Sequence, residues 1–92
     1  MPSATTGRRR VMDKRIGVVG IVIENFENAN KVNEVLHDFA NIIVGRMGIP
    51  YRDRGISVIS LIVDGTTDEL SAMTGKLGKI EGVNVKSALT KK

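Results

Sequence analysis

The chain contains no cysteine. Disulfides, iron–sulfur clusters and thiolate metal sites are thereby excluded. Tryptophan is absent too, and Phe26, Phe39 and Tyr51 are the only aromatic residues. Any core must therefore be made of Ile, Val, Leu and Met. The single histidine, His37, stands in no HxH, HxxxH or DxDxDG pattern. A metal site would need further ligands beside it, so none is expected. No P-loop and no Ser/His/Asp set can be assembled. No catalytic residue and no cofactor is expected. No apolar run approaches the roughly 18 residues of a membrane span. No charged segment leads into an apolar one in signal-peptide order. The expectation is a cytoplasmic protein with no membrane partner.

What is present suits one small domain: 92 residues, 41% of them hydrophobic. A domain of this size is marginal alone, and oligomerisation is a common remedy. The net charge of +4 is unevenly placed. Arg8, Arg9, Arg10, Lys14 and Arg15 oppose Asp13 alone, whereas residues 16–92 hold nine basic and nine acidic side chains. The excess is a tail, not a basic face. Residues 1–13 are polar and have no period, which predicts a disordered extension before a domain over 14–92. Met12 is an alternative start, because the patterned chain begins just after it. The other reading of the tail is a basic arm reaching nucleic-acid phosphates through Arg8, Arg9 and Arg10.

Residues 14–24, "KRIGVVGIVIE", read as a strand, β-branched and bounded by charge. Gly17 and Gly20 within it suggest close packing or a bulge. "NFENAN" is a turn cluster, with Asn28 or Asn30 as candidate N-cap. Val32, Val35, Leu36 and Phe39 fall at i, i+3, i+4 and i+7, which predicts a helix over 31–41. A second apolar stretch covers 42–49, a turn runs from Pro50 to Gly55, and "ISVISLIV" at 56–63 is a strand. "DGTTDEL" opens a second helix, where Thr66 and Glu69 fit a capping box. Leu70, Met73, Leu77 and Ile80 form its stripe, Gly82 offers a positive φ at its end, and 83–89 is the last strand. The order β-α-β-β-α-β predicts an α+β, ferredoxin-like sandwich. Its four-stranded antiparallel sheet carries both helices on one face, with the first and third strands central.

In such a fold the uncovered face should turn polar. Here it does not. In the first strand Ile16, Val18, Gly20 and Val22 oppose Gly17, Val19, Ile21 and Ile23. In the third, Ile56, Val58, Ser60 and Ile62 oppose Ser57, Ile59, Leu61 and Val63. An exposed apolar sheet invites a partner. The expectation is a homo-oligomer, most simply a two-fold dimer or a tetramer built from dimers. Asn84 and Lys86 mark the last strand as an edge.

"GRMGIPYRDRGISVISLIVDG" sets glycine and arginine directly before the most apolar strand. Its plain reading is a strand and a hairpin turn with a solvated tip. As a site, Arg46, Tyr51, Arg52 and Arg54 are the candidates, with His37 nearby, because arginine forks onto carboxylate or phosphate. Asp64, Asp68 and Glu69 gather at a helix start, where the helix dipole accounts for them. Ser71, Gly75 and Gly78 line one side of the second helix. Each helical glycine costs about 1 kcal/mol relative to alanine. Close helix packing is the expected reason, and a groove at a protomer boundary is the alternative.

The runs "VNEVLH", "GRMGIPYRDRGISVISLIVD" and "LSAMTGKLGKIEGVNVKSA" resemble the family of small regulators of the iron-only hydrogenase system, over about residues 14–92. That family is similar to ACT domains and to the ligand-binding domain of the nickel-responsive repressor. The resemblance implies an ACT-like regulatory or ligand-sensing module, not an enzyme. It would oligomerise through its sheet and bind a small-molecule effector or a protein partner between protomers. The alternatives are a transcription regulator that binds DNA directly, through the tail or the hairpin arginines, and a structural adaptor. The chain departs from these relatives at "ENFENANK", which lacks the glycine ACT domains often carry there. It also lacks the repressor's several histidines and its cysteine, and it has no separate DNA-binding ribbon or helix-turn-helix.

Overall fold

A computed structural model describes residues 14–90. The tail over 1–13, with Arg8, Arg9 and Arg10, lies outside the described residues. The elements are β1 (Lys14–Ile23), α1 (Ala29–Asp38), β2 (Ile43–Tyr51), β3 (Ile56–Thr66), α2 (Thr67–Gly78) and β4 (Val83–Leu89). All strand pairs are antiparallel and the sheet order is β2-β3-β1-β4. This is the ferredoxin-like arrangement, with β1 and β3 central.

Strand alternation sends Val19, Ile21 and Ile23 of β1 and Ile59, Leu61 and Val63 of β3 to one face. There they meet Val32 and Leu36 of α1 and Leu70, Met73 and Leu77 of α2 in one buried cluster. Each such side chain contributes roughly 1.5–3 kcal/mol when fully buried. Both helical stripes therefore fall where their spacing places them, with Val35 and Phe39 packed at the margin, except that the second helix ends at Gly78 and Ile80 packs on the core from the turn beyond it.

The boundaries differ from expectation in informative ways. α1 starts and ends earlier than 31–41, and short 3₁₀ turns at Phe26–Asn28 and Ala40–Ile42 flank it. Asn28 is its N-cap residue but makes no side-chain cap bond. Its amide Nδ2 instead donates to the Glu81 carbonyl at 2.6 Å, tying the β1–α1 connection to the α2–β4 turn. Glu24 N–H donates to the Gly82 carbonyl at 2.7 Å beside it. Gly82 holds φ at 78°, the left-handed region that a glycine enters without penalty.

The turn expected over Pro50–Gly55 is shorter, because β2 runs through Pro50 to Tyr51. Proline lacks an N–H, yet an edge strand tolerates that loss. Only Arg52–Arg54 and Gly55 make the turn. β3 runs on through Asp64, Gly65 and Thr66, which pair with Ile16, Arg15 and Lys14.

Gly17 is a close-packing position: a Cβ there would lie 2.7 Å from Leu89 Cδ2 and 2.8 Å from Leu89 Cα. Gly20 is not, for its Cβ would meet nothing nearer than the Lys86 carbonyl oxygen at 3.9 Å. The expected close packing at Gly75 and Gly78 is likewise not found. No atom lies within 4 Å of a Cβ built at either. With Ser71 they line a groove between α2 and β4.

At the start of α2 the capping box forms as expected. Glu69 N–H donates to Thr66 Oγ1 at 3.1 Å, and Thr66 N–H donates to Glu69 Oε1 at 2.9 Å. The Thr66 hydroxyl also donates to Glu69 Oε1 at 3.1 Å, and the bonds the carboxylate accepts, from the Thr66 N–H first and then from this hydroxyl, favour its charged form and hold the Glu69 pKa below its usual value.

Candidate functional site

Strand β2 decides the site, and a bulge decides β2. Ile43 pairs with Val63, whereas Gly45 pairs with Ile62, so Val44 is an extra residue in the ladder. A one-residue insertion sends every later side chain to the opposite face. Arg46 then opposes Leu61 and turns toward the helices. Met47, Ile49 and Tyr51 turn toward the open face, opposite Ser60, Val58 and Ile56.

On the helix side, Arg46 Nη2 donates to Asn33 Oδ1 of α1 at 3.1 Å. His37 stands one helical turn beyond Asn33. Together with Leu36, Ala40, Ile43, Val44 and Gly45 they line a groove of about 470 Å³ between α1 and the β2 edge. The groove offers a guanidinium, an amide and an imidazole above an apolar floor. Such a set suits a small anionic ligand with an apolar part, since arginine can hold a carboxylate through two parallel bonds.

The structure brings Arg46 and His37 together and separates the other candidates. Tyr51 lies on the open face. Arg52 joins Phe26 and Pro50 around a different cavity of about 460 Å³. Arg54 is exposed in the turn. Asn33, the partner of Arg46, was not among the expected site residues. Nothing in the local pattern announces it, because the bulge alone brings Arg46 to α1. Among the described residues, no group of three or more His, Asp or Glu side chains stands close enough to hold a metal ion. Among them, too, no helix is long and apolar enough to cross a membrane.

The open face is the second feature. Its central rows, read across β4, β1, β3 and β2, are Ala88–Val18–Ile62–Gly45, Lys86–Gly20–Ser60–Met47 and Asn84–Val22–Val58–Ile49. Ile16, Val18, Met47, Ile49, Tyr51, Val58 and Ile62 are exposed there, with Val44 at the bulge. Among the described residues the remaining exposed large hydrophobics are only Phe26 and Leu89. The exposed apolar surface is thus concentrated on one side of the sheet, and the Arg46 groove lies on the other, between β2 and α1.

Comparison with known proteins places this architecture. The model of the TM1266-like family, described as iron-only hydrogenase system regulator, matches residues 15–87. The chain belongs to that family. It is similar to TM1266 from Thermotoga maritima, at 40% identity over 85% of this chain and 99% of that one, with a TM-score of 0.80. The ACT domain of GTP pyrophosphokinase from Chlorobium tepidum shares the fold at 22% identity, covering 86% of this chain and 89% of that one, with a TM-score of 0.63. A formyltetrahydrofolate deformylase from Pseudomonas putida also shares it, at 9% identity and a TM-score of 0.58. That match covers 79% of this chain and 28% of the deformylase. No curated protein matches the chain. For this TM1266-like chain, the ACT-like fold expected from the sequence is therefore the observed one.

Proposed function

We propose that this chain is a non-enzymatic regulatory module that works as a homo-oligomer and senses a small anionic effector. The observation that carries the reading is the groove in which Arg46, Asn33 and His37 converge beside an exposed apolar sheet face. The face supplies a surface for a second protomer. The groove on the helix side of β2 supplies a binding site that the second protomer leaves open. Family membership supports a regulatory role, and the ACT-like fold is compatible with one.

Thermal unfolding against a panel of amino acids, dicarboxylates and phosphate esters tests the proposal. A ligand of the folded state stabilises it in a saturable way. The expected result is a saturable rise in Tm with one class of anion, abolished by Arg46→Ala and retained after deletion of residues 1–13. A panel without effect, or one whose effect survives Arg46→Ala, overturns the effector site. Binding to DNA that weakens steeply with salt and needs Arg8–Arg10 would replace it with a nucleic-acid reading.

A further inference from the structure

The middle of the open face is lower than its margins. In the row Lys86–Gly20–Ser60–Met47, the two central strands carry smaller side chains than they do in the rows on either side. The rows on either side place Val22 and Val58, and Val18 and Ile62, at the same strands. A trough therefore crosses β1 and β3. Gly20 is the informative member. Glycine inside a strand costs about 0.5–1 kcal/mol relative to alanine, and the chain's own packing does not demand it. A Cβ would be 3.9 Å from its nearest neighbour, an ordinary contact. The space over Gly20 is open to a side chain from outside the protomer.

The matching knob lies in the same row. Met47 is 65% exposed and unbranched, and it pairs in register with Ser60 one strand away from the trough. β2 and β1 are the two neighbours of β3. A two-fold axis running along β3 therefore exchanges them. It lays Met47 of each copy over the partner's Gly20 and sets Ser60 against the partner's Ser60. A two-fold interface must be self-complementary in this sense. A serine hydroxyl, both donor and acceptor, can donate to its own copy or accept from it.

We propose that the open face is occupied by a second copy of this chain, docked about a two-fold axis along β3 with Met47 of each filling the trough over Gly20 of the other. The proposal rests on the homo-oligomer reading and specifies how its protomers meet. Three overlapping strands cover about 14 Å by 30 Å, hence ~850 Å² over both copies in flat projection. Side-chain relief carries this toward the roughly 1,000 Å² that a specific interface needs.

The absence of cysteine makes the test clean. Ser60→Cys and Asn84→Cys proteins are treated with a short bis-maleimide, and sedimentation gives the dimer Kd of wild type and Gly20→Leu. Expected are a coupled dimer for Ser60→Cys, none for Asn84→Cys on the outlying β4, and a Kd at least tenfold weaker for Gly20→Leu with an unchanged circular dichroism spectrum. A wild-type monomer at every accessible concentration overturns the homo-oligomer reading together with this docking. A stable dimer in which Ser60→Cys does not couple, or in which Gly20→Leu leaves Kd unaltered, overturns the docking alone.

Discussion

Leu61 and Ile62 are neighbours on β3 with nearly the same side-chain chemistry, yet Leu61 has no exposed surface and Ile62 is 43% exposed. The period of the strand separates them. Leu61 meets the helices, and Ile62 meets whatever lies across the open face. The same contrast runs along β1, where Val19 and Ile21 are sealed while Ile16 and Val18 are not. Apolar character alone therefore does not mark this protein's own core. One face is explained by the helices that cover it. The other has a core-like composition without cover in the single chain, which makes it informative about association.

The helix face should show the larger response to truncation. Leu61→Ala removes a fully buried side chain from a central strand. Equilibrium denaturation should register a loss of about 2–5 kcal/mol, the range for such cavities. A loss below 1 kcal/mol, typical of surface sites, would show that the two faces are not energetically distinct. The two glycines of β1 give the next contrast. Gly17→Ala presses a methyl against Leu89, and something must shift. An overpacking cost of roughly 1–3 kcal/mol is expected. Gly20→Ala meets no such obstacle in the protomer. In dilute protein it should be neutral or stabilising, by up to about 1 kcal/mol.

A smaller effect comes from the cap of α2, which belongs to the helix layer. Thr66→Ala removes the hydroxyl half of the capping box and should cost about 1 kcal/mol. The partner residue adds a pH signature. The hydrogen bonds from Thr66 lower the Glu69 pKa below its usual value of 4.5. A carboxylate with a lowered folded-state pKa contributes stability above its unfolded pKa, and that stability is lost as pH falls through the folded value. Denaturation curves measured from pH 6 downward should therefore show a loss in wild type that is shallower in Thr66→Ala. Alanine keeps the backbone N–H that is the larger cause, so equal slopes in the two proteins would mean that the Thr66 hydroxyl does not help hold the carboxylate.

Much of the helix face was legible before any coordinates. The spacing of Val32, Val35, Leu36 and Phe39, the Thr66–Glu69 pair and Gly82 each state a local rule, and the fold obeys them. The site was less legible because its causes are not local. The bulge at Val44 leaves no periodic trace in a run of glycine, arginine and methionine, yet it alone directs Arg46 to Asn33. Pro50 reads as a turn residue until the sheet order puts β2 at an edge. Gly75 and Gly78 read as packing positions, whereas the space beside them is open. In each case the deciding fact is which strand or helix lies alongside. That is a property of the assembled sheet.

The smallest effect on the protomer is also the most discriminating. Ile62→Lys places a charge on the open face beside Val18, at a position already 43% exposed. A long, solvated side chain there disturbs no buried contact, so the dilute protein should change by no more than about 0.5 kcal/mol. Within the proposed dimer the same ammonium would be desolvated against an apolar partner surface, a costly placement without a counter-charge. Wild type should therefore unfold at a Tm that rises with protein concentration, as association requires. Ile62→Lys should unfold at one Tm throughout and sediment as a monomer. A variant that loses stability equally at all concentrations would place Ile62 in the protomer's own packing and erase the distinction between the two faces.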